Sequence, residues 1–221
     1  MKKQDIKHPG IVTHSGNELE VMNPAVEDIR LEDIADGLSR ERRFSGLTRG
    51  RRYNVAHHSL VVASILDTFL LADPETVTAG LFHDATEAYL GDVIAPLKRF
   101  LPDYNKIEGI WSAAIGARFG ILPSAFHSTP VKMADYMAYS VEVYFLVDRV
   151  KLYGFESREA LRKVVLPILE ICPLARSIET PWAGPESVER FLAAASSRFH
   201  LVAHAGGAEI PDTLRIAAAP R

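Results

Sequence analysis

Seven segments between Pro24 and His204 repeat apolar residues every three or four positions, and this period decides what the chain can fold into. The spacing predicts helices near 31–38, 55–71, 74–89, 103–119, 129–150, 157–171 and 185–203. Several carry start signals, such as Asp73 followed by Pro74, and Ser157 followed by Glu159. The exception lies at residues 11–22, where two short strands flank Ser15-Gly16-Asn17, a tight-turn sequence. The expected fold is all-α, a helical bundle with a short N-terminal β-hairpin. Residues 1–28 form the extension, 29–204 one domain and 205–221 a tail.

The 221 residues are 48% hydrophobic and 24% charged, enough to bury a core and too apolar for a disordered chain. The net charge of −3 argues against a nucleic-acid polymer as partner, which calls for a basic face, but not against a small phosphorylated ligand. Cys172 is the single cysteine, so neither an internal disulfide nor a Cys-rich zinc site is available. The N-terminus lacks an apolar signal region, and the longest apolar stretch, 59–82, is broken by Asp67, Asp73 and Glu75. A cytoplasmic protein without membrane contact is expected.

The ionisable residues within the apolar stripes carry the chemistry. In the second helix His58 shares its face with Val62, Ile65 and Phe69, so it is expected to point inward. His57 falls with Ser64 and Thr68 and is expected to face a polar surface. In the third helix Asp84 shares a face with Val77, Leu81 and Ala88, where an ionised carboxylate is costly unless paired or metal-bound. His83 lies beside Ala79 and Gly80, which let another element come close, and Glu87 follows one turn later. Asp135 sits between Val131, Ala138 and Tyr139, where burial is expected. Each segment alone also fits a bland reading. His58 could bond a carbonyl, His83, Asp84 and Glu87 could form an ion pair or cap, and Asp135 could pair with Lys132 or Arg149. Together, two imidazoles and two carboxylates suit Mn, Co, Fe, Ni or Zn better than Ca or Mg.

The runs NVAHHS (54–59), LFHDATEAYLGDVIAPLK (81–98) and KMAD (132–135) resemble the HD-domain metal-dependent phosphohydrolases. Within that superfamily they are most similar to the bacterial 5′-deoxynucleotidase group and to phage enzymes that hydrolyse deoxynucleoside triphosphates. The likeness spans roughly residues 30–150. It implies one divalent transition metal on His58, His83, Asp84 and Asp135, catalytic roles for Glu87 and Asp92, a phosphate contact from Arg43, and a lysine position at Lys98. Which of Glu87 and Asp92 is acid or base stays open. Arg40, Arg42, Arg49, Arg51 and Arg52 are read as a solvated loop.

Departures narrow the reading. Ala88 follows Glu87 where stringent-response hydrolases carry an acidic residue, and no GYP motif is present. Only His127 lies between the His-Asp pair and Asp135, so one metal is expected rather than two. His8, His14, His200 and His204 are read as surface residues. The leading expectation is an enzyme that hydrolyses deoxyribonucleoside 5′-monophosphates. A (deoxy)nucleoside triphosphate hydrolase comes second, and a non-catalytic metal- and nucleotide-binding regulator third. A homo-oligomer is implied by resemblance alone.

Overall fold

The computed structural model describes residues 10–49 and 52–206, with residues 200–206 as backbone only. Strands β1 (Gly10–Val12) and β2 (Glu18–Glu20) pair antiparallel with Ile11 opposite Leu19. Gly16 at φ 84° supplies the left-handed turn residue between them. The helices are α1 (Leu31–Arg40), α2 (Val55–Thr68), α3 (Pro74–Phe82), α4 (Glu87–Leu90), α5 (Ala95–Lys98), α6 (Pro102–Phe119), α7 (Thr129–Leu146), α8 (Arg158–Ile171) and α9 (Gly184–Gly206). The expected all-α fold with a β-hairpin is therefore observed among the described residues. None of these helices is long and apolar enough to cross a membrane.

Helix α2 is the centre of the bundle, packed by α1, α3, α7 and α9. Every residue from Val55 to Ala63 is buried, so it has no solvent face over its first two turns. This corrects the expectation for His57, which is fully buried. Its Nε2 lies 2.7 Å from Ser177 Oγ, and its ring stacks on Trp182 at 3.7 Å between centroids. Ser64 and Thr68, which suggested a polar face, lie beyond the enclosed turns. Asn54 starts α2 by accepting the His57 backbone N–H at 2.9 Å.

Helix α3 begins as expected, with Asp73 as cap and Pro74 in its first turn, but it does not run on to Tyr89. It ends at Phe82, and residues 83–86 form tightened turns before α4. Ala85 N–H bonds Phe82 O and Glu87 N–H bonds Asp84 O, both three-residue steps. The break falls on the His83-Asp84 pair. Gly80 lets α3 approach α2 closely, since a Cβ there would lie 2.1 Å from Leu66 Cδ1.

The hairpin is tied to the bundle away from the cleft. Ser15 donates both its backbone N–H and its hydroxyl to Asp33 of α1 at 2.8 Å, and Trp111 Nε1 of α6 donates to Val21 O at 2.9 Å. His14 is exposed as expected, and so is His127, in a 3₁₀ turn over Pro123–His127. His8, Arg51 and the tail from 207 onward lie outside the described residues, as do the side chains of His200 and His204.

Candidate metal centre

Three helical regions converge on one point. His58 comes from the first turn of α2, His83 and Asp84 from the tightened turn after α3, and Asp135 from the second turn of α7. His58, His83 and Asp84 each offer a donor atom within 4.8 Å of the others, so these three can hold a metal ion. Asp84 Oδ2 lies 3.6 Å from His58 Nε2 and 3.2 Å from His83 Nε2. Asp135 Oδ1 lies 3.2 Å and 4.0 Å from the same two nitrogens. Ligands roughly 2.1 Å from a shared cation sit about 3.0–3.4 Å apart for octahedral or tetrahedral angles, close to these spacings. Asp135 corrects one expectation. Its side chain is 43% exposed, because it opens into a cleft instead of the core.

Both imidazoles are held so that Nε2 faces this point. His83 Nδ1 donates to Gly80 O at 2.7 Å, and a carbonyl can only accept, so the proton is on Nδ1. His58 Nδ1 lies 2.5 Å from Glu142 Oε1, and an ionised carboxylate imposes the same tautomer. Neither Nε2 has a hydrogen-bond partner although both are buried. Two buried nitrogens without an aligned hydrogen bond, each within 3.2 Å of a carboxylate oxygen, are the donor chemistry a transition metal requires.

Electrostatics agree. Burial and Arg43 oppose protonation of His58, yet Glu142 and Asp135 outweigh them and raise its pKa to about 9. Burial also works against ionised Asp84, but His83, His58 and Arg43 hold its pKa far below the usual carboxylate range. Asp84 is thus held ionised, and a cation would compete with the proton for the imidazoles.

The carboxylates beyond the cluster behave differently. Burial, with Asp84 and Asp92 nearby, pushes the Glu87 pKa well above its ordinary value. Asp92 is raised by burial and by Asp84, against the pull of Arg43. Glu87 Oε2 is buried without a partner. Both residues line a cleft of about 850 Å³ that also exposes Asp84 and Asp135.

Arg43 reaches the same place from a strained corner. Its N–H pairs with Tyr53 O at 3.2 Å, and Phe44 and Ser45 follow at φ 57° and 52°, a left-handed conformation costly for both. The Phe44 ring is braced by Tyr139 at 6.0 Å and Tyr153 at 5.7 Å. Arg43 Nη1 thereby sits 3.6 Å from Asp84 and Nη2 sits 3.3 Å from Glu142. Lys98 lines the cleft, but its ammonium pairs with Glu108 and lies over the Tyr104 ring. Its charge is therefore largely committed. Of the other arginines, Arg40 pairs with Asp36 and Arg49 with Asp148, while Arg52 is exposed.

No family model matches the chain. It is 39% identical over 132 residues to the uncharacterized protein YfdR of Escherichia coli, covering 60% of this chain and 69% of that protein. It is 36% identical over 154 residues to an uncharacterized protein of Rhodobacter capsulatus, covering 67% of this chain and 75% of that one. The chain belongs to the same family as these two proteins. Neither relative's name states a ligand or a reaction.

The residues that pattern reading missed are Glu142 and Tyr153, and the packing of Phe44 and Tyr139 with Tyr153 into one aromatic wall. Glu142 lies seven positions after Asp135, two helical turns along the same stripe, and that spacing was the available signal.

Proposed function

We propose that the protein is a metal-dependent phosphohydrolase of the HD type, acting on a deoxyribonucleoside 5′-monophosphate. The observation that carries this reading is the convergence of two buried imidazole nitrogens, His58 Nε2 and His83 Nε2, on Asp84 with no hydrogen bond to either nitrogen. Asp135 completes the proposed ligand set. A bound Mn, Co, Fe, Ni or Zn ion would acidify a water molecule and polarise the phosphoryl group.

The remaining roles belong to the chain. Arg43 is placed to offer its guanidinium edge to phosphate oxygens, with its position fixed through Tyr53 O and Glu142. Glu87 and Asp92 exchange protons with the attacking water and the leaving ribose oxygen. Glu87, whose surroundings hold its proton more strongly, is assigned donation to the leaving oxygen. The cleft volume suits a nucleotide, and Phe44, Tyr139 and Tyr153 offer apolar surface on one wall.

A second reading, hydrolysis of a nucleoside triphosphate, is favoured by the further cations on the cleft wall, Arg99 and Lys132. The deciding assay offers mono-, di- and triphosphates of ribo- and deoxyribonucleosides to the protein loaded with Mn, Co or Zn. Inorganic phosphate released from monophosphates supports the first reading. Pyrophosphate or triphosphate as product selects the second. Tight nucleotide binding with no product from any substrate contradicts both and leaves a metal- and nucleotide-binding regulator.

A further inference from the structure

We propose that Glu142 is a positioning residue whose single carboxylate aims both a metal ligand, His58, and the anion-binding guanidinium of Arg43 at one point in the cleft. The two oxygens divide the work. Oε1 takes His58 Nδ1 at 2.5 Å and Oε2 takes Arg43 Nη2 at 3.3 Å. Glu142 is fully buried in α7 among Val141, Val143 and Ser140, a setting in which an ionised carboxylate is costly unless both oxygens are engaged.

Each contact fixes a degree of freedom that the site depends on. The bond to Nδ1 sets the His58 tautomer and stops the ring from turning its bare nitrogen away from Asp84 and Asp135. The bond to Nη2 holds the guanidinium, whose Nη1 lies 3.6 Å from Asp84 and whose Nε is buried without a partner. Without Glu142, Asp84 would be the one carboxylate left in contact with Arg43, so the guanidinium would compete with a cation for that ligand. One acid therefore keeps the arginine near the metal point without letting it occupy the point. The inference rests on the proposed metal site and on Arg43 as the anion contact, not on hydrolysis.

A glutamine cannot replace this group. Its one carbonyl oxygen can accept from His58 or from Arg43, and its NH₂ then meets the other donor. In the full chain, Glu142→Gln is expected to weaken Co(II) binding by about 10–100-fold in calorimetric titration. It should also weaken inorganic phosphate binding to the Co(II)-saturated protein. Val143→Ala, a cavity in the same helix that removes no polar contact of His58 or Arg43, should lower Tm and leave Co(II) affinity unchanged. If Glu142→Gln does not fold, Glu142→Asp keeps the charge but retracts it by one carbon, and the same losses are expected. Co(II) affinity equal to wild type in the folded Glu142 variant overturns the proposal, as does an equal loss in Val143→Ala. A wild-type chain that binds no Co(II) overturns it together with the metal site. Absence of turnover in wild type, with the Glu142 effect on Co(II) intact, contradicts hydrolysis alone and supports this inference.

Discussion

His83 Nε2 and Asp84 Oδ2 lie 3.2 Å apart although the two residues are consecutive in the chain. On a regular α-helix neighbouring side chains diverge by about 100° and would not meet. They meet because α3 stops at Phe82 and the next four residues form tightened, three-residue turns, with His83 held by Gly80 O. The dipeptide is thus a local distortion that delivers two unlike donors to one point.

Asp84 touches both imidazoles and Arg43, so it should be the least replaceable ligand. Asp84→Asn is expected to reduce Co(II) or Mn(II) affinity by more than the roughly 10–100-fold that an outer partner is worth. Equilibrium dialysis with metal analysis checks this, and wild-type stoichiometry and affinity would remove Asp84 from the ligand set.

Glu87 is buried, carries an unpartnered oxygen and lies outside the donor group. Glu87→Ala should keep the metal and lose turnover by about 10²–10⁴-fold, the usual worth of a positioned proton carrier. Steady-state kinetics beside metal content tests it, and a normal kcat would exclude Glu87 from proton transfer.

Asn54 ties two parts of the bundle together. Its Oδ1 caps α2 and its Nδ2 donates to buried Ser187 Oγ of α9 at 3.0 Å. Asn54→Ala removes a cap and leaves that hydroxyl unsatisfied, for a combined loss of about 2–4 kcal/mol. Urea denaturation followed by circular dichroism should show the lower midpoint with an unchanged m value.

Gly80 sets the separation of the helices that carry the two imidazoles. Gly80→Ala forces its new Cβ against Leu66, at an expected cost of about 1–3 kcal/mol, and should also weaken Co(II) binding. Gly109→Ala, on an exposed turn of α6 with nothing within 4 Å, should be stabilising by about 0.5–1 kcal/mol. Thermal melts of the pair give the comparison, and equal shifts of the same sign would refute the close-approach argument.

The elements legible from sequence were those whose period is local. The Asp73-Pro74 start, the Ser157 cap and the Gly16 turn all lie where pattern predicts them. The apolar stripes marked His58 and Asp84 as inward-facing, while the grouping with His83 and Asp135 came from the motif resemblance, and Asp135 opens into the cleft instead of the core. His57 misled because two weakly polar neighbours suggested a surface, whereas α2 is enclosed on all sides over its first turns. The break after Phe82 was hidden, since no proline or glycine marks it and the distortion is held by the His83 side chain itself. Glu142 and Arg43 are separated by 99 positions, and only the tertiary fold brings them together.

The central claim is that these donors share one cation, and anomalous diffraction at the manganese edge from Mn(II)-soaked crystals tests it directly. The account predicts a single strong peak about 2.0–2.3 Å from His58 Nε2, His83 Nε2 and an Asp84 oxygen, with Asp135 as the fourth protein ligand. No peak at that point in crystals saturated with the metal, or one that leaves either imidazole uncoordinated, would contradict it.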